Sequence, residues 1–260
     1  MSLLVARNIS VSYDDRRALD GVDFSLARGE LVGLIGPNGA GKTSLVRALA
    51  GNLDYTGDIA VDGVAFADLP RRERARRIAY LAQGAEATWP IPVARLVELG
   101  RLPYLGPFQK TTDADREAID RALIQADVAH LAARRVTHLS GGERMRVLLA
   151  RALAVDAKIL LADEPIASLD PLHQLTLMES LRARAKDGAG VVVVLHDLTL
   201  AAGLCDRLVL LHEGKVLAEG APADVLSEAH LARAYGIDAL IEQRGARLLV
   251  VPWRVKGAAP

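Results

Sequence analysis

The stretch Gly36-Pro37-Asn38-Gly39-Ala40-Gly41-Lys42-Thr43-Ser44 joins a glycine-rich turn to an amine and two hydroxyls, directly after the apolar run "LVGLI" at 31–35. Its spacing fits G-x-x-x-x-G-K-[ST] between a strand and a helix, the setting that pattern requires. The glycines let backbone N–H groups surround phosphate oxygens. Lys42 supplies a cation for β and γ phosphates, and the Thr43 hydroxyl can ligate Mg²⁺. The chemistry expected here is nucleotide binding. A glycine-rich turn that merely capped a helix would leave Lys42 and Thr43 unexplained.

A second cluster suits hydrolysis. "ILLADEP" at 159–165 places Asp163 at the end of an apolar run, where its carboxylate can hold water on Mg²⁺, and Glu164 next to it can orient or deprotonate an attacking water. Acidic residues closing a strand are also ordinary turn chemistry; the phosphate loop favours the functional reading. His196, ending "VVVVLH", is either a satisfied histidine at a strand end or a γ-phosphate contact. Gln83 in "YLAQG" is on its own an ordinary loop residue. Tyr13 is either a half-buried strand aromatic or a stacking platform for adenine.

A third stretch, "HLSGGERMRVLLARAL" at 138–153, starts an amphipathic helix with two glycines. Within a helix each costs about 1 kcal/mol relative to Ala. Ser140 and Glu143 form a capping box, which explains those two residues and leaves Gly141 and Gly142 unexplained. Bare glycines at a helix N-terminus let an anion approach its exposed N–H groups.

These residues need a scaffold. Residues 3–13, 22–26 and 58–63 are short, roughly alternating and bounded by turn residues, which predicts a small, mostly antiparallel sheet. The runs at 31–35, 158–163 and 191–195 are continuously apolar and predict buried parallel strands. Between the last two, Asp170 is an N-cap, Pro171 suits the first helical position, and Leu177, Leu181 and Ala185 share a face. Residues 88–152 predict a helical subdomain entered through "ATWPIP", with Ile119, Ala122, Leu123 and Ala126 on one stripe. Residues 227–260 predict a short helix and two strands, "GIDALIEQ" and "ARLLVVPW". The expected fold class is α/β: a P-loop core with a mostly parallel sheet, an N-terminal antiparallel subdomain and an inserted helical subdomain, all one domain over 1–260.

Composition limits the function classes. With 260 residues, 51% of them hydrophobic, the chain can bury a sizeable core. Lys plus Arg and Asp plus Glu are both 32, so no net basic charge argues for nucleic acid. "RRERARR" at 71–77 mixes signs and reads as a solvated helix face. Cys205 is the single cysteine, so no intramolecular disulfide forms, a reducing compartment is expected, and a small buried apolar role suits it. No apolar run approaches the roughly 18 residues of a membrane span, which predicts a soluble chain or one held to a membrane through a partner.

In order along the chain, Tyr13, "GPNGAGKTS", Gln83, "LSGGE", "ILLADE", "SLD" at 168–170 and His196 resemble the motif series of an ABC transporter ATPase subunit, over about residues 3–225. The resemblance implies ATP with Mg²⁺. It implies Glu164, His196 and Gln83 in catalysis, Thr43, Gln83 and Asp163 toward the metal, and Asp170 of "SLD" at the nucleotide. It also implies a head-to-tail homodimer in which Ser140, Gly141, Gly142 and Glu143 of one copy close over the ATP of the other. Further stretches, "HDLTLAAGLCDRLVLLHEGKVLAEGAPADVL", "GRLPYLGPF" and the tail, are similar to the ATPase subunits of bacterial importers for siderophore iron, haem or cobalamin. Arg144, Met145, Ile166, Ala167 and Thr199 depart from residues frequent in such proteins, and none of them removes a catalytic group. The implied partners are a membrane permease, contacted through Gln83 and the helical region, and indirectly a periplasmic binding protein. The implied location is the cytoplasmic face of the inner membrane. An exporter ATPase would keep every motif; a soluble ABC ATPase acting on nucleic acid would predict two fused halves or a long coiled coil, and neither is present.

Overall fold

The computed structural model describes residues 2–85, 89–167, 169–245 and 247–256. Ala87 and Thr88 of the "ATWPIP" loop, Ser168 of "SLD" and Ala246 of "ARLLVVPW" lie outside the described residues. In chain order the elements are β1 Ser2–Tyr13, β2 Arg16–Ala27, β3 Leu31–Ile35, α1 Lys42–Leu49, β4 Thr56–Val61, β5 Val64–Ala65, α2 Arg71–Arg77, β6 Ile78–Leu81, α3 Val93–Glu98, α4 Asp113–Gln125 and α5 Gly141–Leu153. There follow β7 Ile159–Ala162, α6 Pro171–Lys186, β8 Gly190–Val194, α7 Leu198–Leu204, β9 Arg207–His212, β10 Lys215–Gly220, α8 Pro222–Val225, α9 Glu228–Tyr235, β11 Ile237–Arg244 and β12 Arg247–Val255.

The central sheet has the order β10-β9-β3-β8-β7-β6, with β10 antiparallel and the others parallel. Both faces are covered, which is why its strands are apolar without interruption. Alternate side chains go to opposite cores: Leu31, Leu160, Val191, Val193, Leu208 and Leu210 to one, and Val32, Leu34, Leu161, Val192, Val194, Val209 and Leu211 to the other. The second core holds Leu45, Val46, Ala48 and Leu49 of α1 and the inner face of the antiparallel sheet β2-β1-β4-β5. The helix behind the phosphate loop is thus gripped between two sheets.

The start of β3 is fixed by charge as well as packing. Asp206 Oδ2 accepts from Leu31 N at 2.9 Å, and the Arg207 guanidinium pairs with Glu30 at 2.6 Å and with Glu219. The first core continues into the insertion, where Val97, Leu123 and Val147 of α3, α4 and α5 meet. Buried Arg101 ties these helices together, donating to Asp115 Oδ1 at 2.8 Å and to the Ala154 carbonyl at 2.9 Å.

The helical reading of 88–152 needs two corrections: between Gln125 and Gly141 the chain runs through two 3₁₀ turns instead of α-helix, and another break precedes α4. Helix is interrupted between Glu98 and Asp113, where a 3₁₀ turn leads into an irregular segment containing Pro103, Gly106 and Pro107. Proline lacks an N–H and glycine loses most entropy on ordering, so the helix cannot run through. β6, β9 and β10 lie outside the strands that the sequence patterns predict. The signal for the last two was present: Glu213 and Gly214 both take positive φ and turn β9 into β10, a hairpin turn of the kind right-twisted strands favour. No helix among the described residues is long and apolar enough to cross a membrane.

Candidate functional site

Four parallel strands end at one edge, and each hands a side chain to it. The phosphate loop follows β3, Gln83 follows β6, Asp163 and Glu164 follow β7, and His196 follows β8. Ligands of open α/β sheets sit outside the carboxyl ends of the strands, the edge that these residues share.

The loop itself is sterically dictated at Gly36 and Gly41. Gly36 has φ 145°, and a Cβ there would stand 2.3 Å from the Leu211 carbonyl oxygen. Gly41 has φ 104°, with the Ala18 carbonyl oxygen 2.6 Å from the corresponding point. Only glycine fits either place. The loop folds back on Lys42, whose ammonium donates to the carbonyls of Gly36 at 2.7 Å and Pro37 at 3.0 Å. Burial lowers its pKa from the ordinary value, with the carboxylates of Glu164 and Asp163 opposing that shift.

Thr43 Oγ1 donates to Asp163 Oδ1 at 3.2 Å, and the Tyr80 hydroxyl donates to Asp163 Oδ2 at 3.4 Å. Asp163 is almost fully buried, and that desolvation raises its pKa against the pull of these two hydroxyls. Tyr80, not foreseen from sequence, has its own pKa pushed up to about 12, chiefly by burial. Glu164 takes φ 51°, a left-handed conformation that costs a non-glycine residue of order 1–3 kcal/mol. Its carboxylate is held from both sides: Gln83 Nε2 donates to Oε2 at 2.7 Å, and His196 Nε2 lies 2.7 Å from Oε1.

Lys42, Thr43, Gln83 and Glu164 share a cleft of about 440 Å³ with Tyr13, Arg16, Ala18, Asn38, Gly39, Gly41 and Ser44; Gly36, Pro37, Asp163 and His196 do not line it. Tyr13 is 41% exposed there, with its hydroxyl 3.3 Å from Ser44 Oγ, so it is no core aromatic. Ala40, by contrast, is buried in the core below the loop. Arg16 and Ala18 were not foreseen; they follow the turn after Tyr13, and the only sequence hint was their nearness to it.

The 140–143 stretch does not line this cleft. Ser140 caps α5, its Oγ accepting from Glu143 N at 3.2 Å, while Glu143 Oε2 accepts from Ser140 N at 2.8 Å and Oε1 pairs with Arg134 at 3.2 Å. The Ser140 N–H bond lowers the Glu143 pKa, and the carboxylate is occupied within its own chain. Gly141 is exposed, with nothing near the position of a Cβ, and Gly142 has only Leu169 at 3.4 Å. Asp170 caps α6, accepting from His173 N at 3.1 Å, and this bond lowers its pKa. Within one chain, Ser140, Gly141, Gly142, Glu143 and Asp170 stay apart from the residues of the cleft.

Residues 19–167 match the model of the ABC transporter family. This chain belongs to that family. It is 41% identical over 257 residues to a hemin import ATP-binding protein, HmuV, of Pseudomonas entomophila, covering 95% of this chain and 99% of that one. A solved ABC transporter in an inward-facing conformation superposes with a TM-score of 0.83 over 98% of both chains, at 24% identity, a likeness of fold. The bacterial ABC transporter cassette MJ0796, solved as a dimer, has a TM-score of 0.75 at 28% identity, over 84% of this chain and 98% of that one. ABC ATP-binding proteins hydrolyse ATP to power transport, and this chain is an ATPase of that kind.

Proposed function

We propose that this chain is the ATP-hydrolysing subunit of an importer for haem or a related metal chelate, working as a head-to-tail homodimer beneath a separate membrane permease. The observation that carries the chemistry is the Glu164 carboxylate held between Gln83 and His196, beside Lys42 and Thr43. The likeness to hemin import ATP-binding proteins over nearly the whole chain supports the cargo class.

In this reading the backbone N–H groups of 36–44 and the Lys42 ammonium hold the phosphates, and Lys42 exchanges its two carbonyl partners for phosphate oxygens. Tyr13 stacks on adenine. Thr43 and Asp163 are hard oxygen donors and suit Mg²⁺, which takes few protein ligands and keeps phosphates and waters. By donating its proton to Asp163, Thr43 leaves its lone pairs open to that cation. When bound, Mg²⁺ neutralises charge on the β and γ phosphates. Gln83 is a further candidate on that side. Glu164 accepts the proton of the attacking water, while His196 steadies the carboxylate and lies near the γ-phosphate. The strained backbone at Glu164 aims it for that role.

The glycines at 141 and 142 serve the partner's nucleotide, with Ser140 and Glu143 shaping that helix end and Asp170 bordering the same joint. The helical region 88–152 meets the permease, and the chain sits peripherally on the cytoplasmic face of the inner membrane. A periplasmic binding protein delivers cargo to the permease, and no nucleic acid takes part. Residues 227–260 form a C-terminal extension.

Two experiments test the reading. Glu164→Gln keeps the shape and removes the base, so ATP stays bound, hydrolysis falls to background and the dimer is trapped; wild-type phosphate release would remove Glu164 from its role. For the cargo, the complex with its permease in vesicles is offered labelled haem, cobalamin and ferric siderophores. ATP-dependent uptake of none of them refutes chelate import.

A further inference from the structure

The turn that follows Tyr13 has a consequence for charge. Asp14 and Asp15 form a two-residue turn, with Asp14 at φ 48°, so Tyr13 of β1 pairs directly with Arg16 of β2. Residues opposite each other in an antiparallel pair project to the same face. Arg16 accordingly shares the nucleotide cleft with Tyr13, and its Nη2 lies 3.1 Å from the position a Cβ on Gly39 would take. It also lines a neighbouring recess of about 410 Å³, with Asn38, Gly39 and His212 among the other walls.

The neighbouring cations are used differently. Arg17 pairs with Asp20 at 2.6 Å, and Lys215 reaches the same carboxylate at 3.0 Å. Among the described residues, no carboxylate pairs with Arg16; Glu213 in the recess lies 4.0 Å from His212. The carboxylates of the nucleotide site, Asp163 and Glu164, are engaged with Thr43, Tyr80, Gln83 and His196. An exposed, uncommitted guanidinium therefore lies against the phosphate loop.

We propose that Arg16 is a second phosphate-binding cation of the nucleotide cleft, placed by the hairpin that also presents Tyr13. This rests on the reading of the cleft as an ATP site. A polyphosphate brings several negative charges, and Lys42 offsets only part of them from inside the loop. Oxygens turned away from the backbone cradle need a donor from the open side, and a planar guanidinium fork matches phosphate geometry. Gly39 leaves it room: a Cβ there would stand 3.1 Å from Nη2, close enough that the guanidinium would have to shift by a few tenths of an ångström.

The test measures binding by wild type, Arg16→Gln, Arg16→Lys and Lys42→Ala, using ATP, ADP and inorganic triphosphate, the last by displacement of a fluorescent ATP analogue. Arg16 is exposed, so its two variants keep the melting temperature of the wild type. Arg16→Gln raises the dissociation constants of ATP, ADP and triphosphate by about tenfold, as expected for one charge-assisted contact. Arg16→Lys recovers part of this, because charge returns without the fork. High salt narrows the gap, since an exposed charge is screened. An Arg16→Gln protein within twofold of wild type overturns the proposal, and so does a loss for ATP that triphosphate does not share. If wild type itself bound no ATP, or Lys42→Ala left binding unchanged, the nucleotide reading would fail with it. Binding that is lost in Lys42→Ala and intact in Arg16→Gln refutes Arg16 alone.

Discussion

At the start of α1, Gly41 has φ 104° and a Cβ there would stand 2.6 Å from a backbone oxygen; at the start of α5, Gly141 has open space at the same point and no positive φ. Both helices offer unpaired N–H groups to an anion. The first is a closed cradle, with its lysine folded inward and two sheets packed around its helix. The second is an exposed helix end whose own cap is complete. The fold of the chain requires glycine in the cradle and nowhere requires it at Gly141. No contact among the described residues offsets the cost of up to about 2 kcal/mol that two glycines carry in a helix. In the proposed head-to-tail dimer, a partner's triphosphate is what would use the bare backbone there.

The largest effect that can break this contrast is at Gly36. Gly36→Ala drives a Cβ to 2.3 Å from the Leu211 carbonyl oxygen, so we expect stability to fall by about 3 kcal/mol or more and ATP binding to vanish. Denaturant unfolding and calorimetric titration measure the two, and a stable, ATP-binding variant would mean the cradle is not sterically dictated. Lys42→Ala leaves the backbone cradle intact and removes its cation. A rise in the ATP dissociation constant of ten- to a hundredfold is expected, with little change in unfolding free energy.

At the other helix the expected effects are smaller. Ser140→Ala removes one half of the capping box and should cost about 1 kcal/mol in urea unfolding. Gly141→Ala should be neutral or stabilise the isolated chain by up to about 1 kcal/mol, while ATP-dependent dimerisation of the Glu164→Gln protein weakens. Light scattering follows the dimer. A destabilised Gly141→Ala chain with unimpaired dimerisation would place the need for that glycine inside the chain. The sharpest form of the contrast is a tagged heterodimer in the Glu164→Gln background, Lys42→Ala on one chain and Gly141→Asp on the other. A shared site leaves one intact composite site and one tightly held ATP; self-contained sites leave none.

Much of this was legible because local chemistry and local structure agreed. The strand at 31–35, the helix start at Asp170-Pro171 and the capping box at 140–143 stand where their residue types require. The buried thiol of Cys205, its pKa pushed up to about 12, fits the apolar role read from sequence, with Gly33 leaving room for its sulfur. The irregular segment between α3 and α4 was less legible, because scattered apolar residues on either side of Pro103 and Pro107 imitate a helix period. The short strand β6 was missed because "IAYL" offers too few residues for its period to show.

Residue types and spacing were enough to name the phosphate loop and, beside it, the acidic pair, since each motif lies within a few consecutive residues whose backbone conformation is set locally; for His196 they left a strand-end histidine and a phosphate contact both open, and only the family resemblance chose between them. What spacing could not show is which of these touch. Glu164 meets Gln83 and His196 only because β6, β7 and β8 lie side by side and end at one edge, a consequence of sheet order rather than of chain order. Tyr80 reaches Asp163, and Arg16 reaches the loop at Gly39, for the same reason: burial on both faces of the sheet and the register of a hairpin decide which side chains converge.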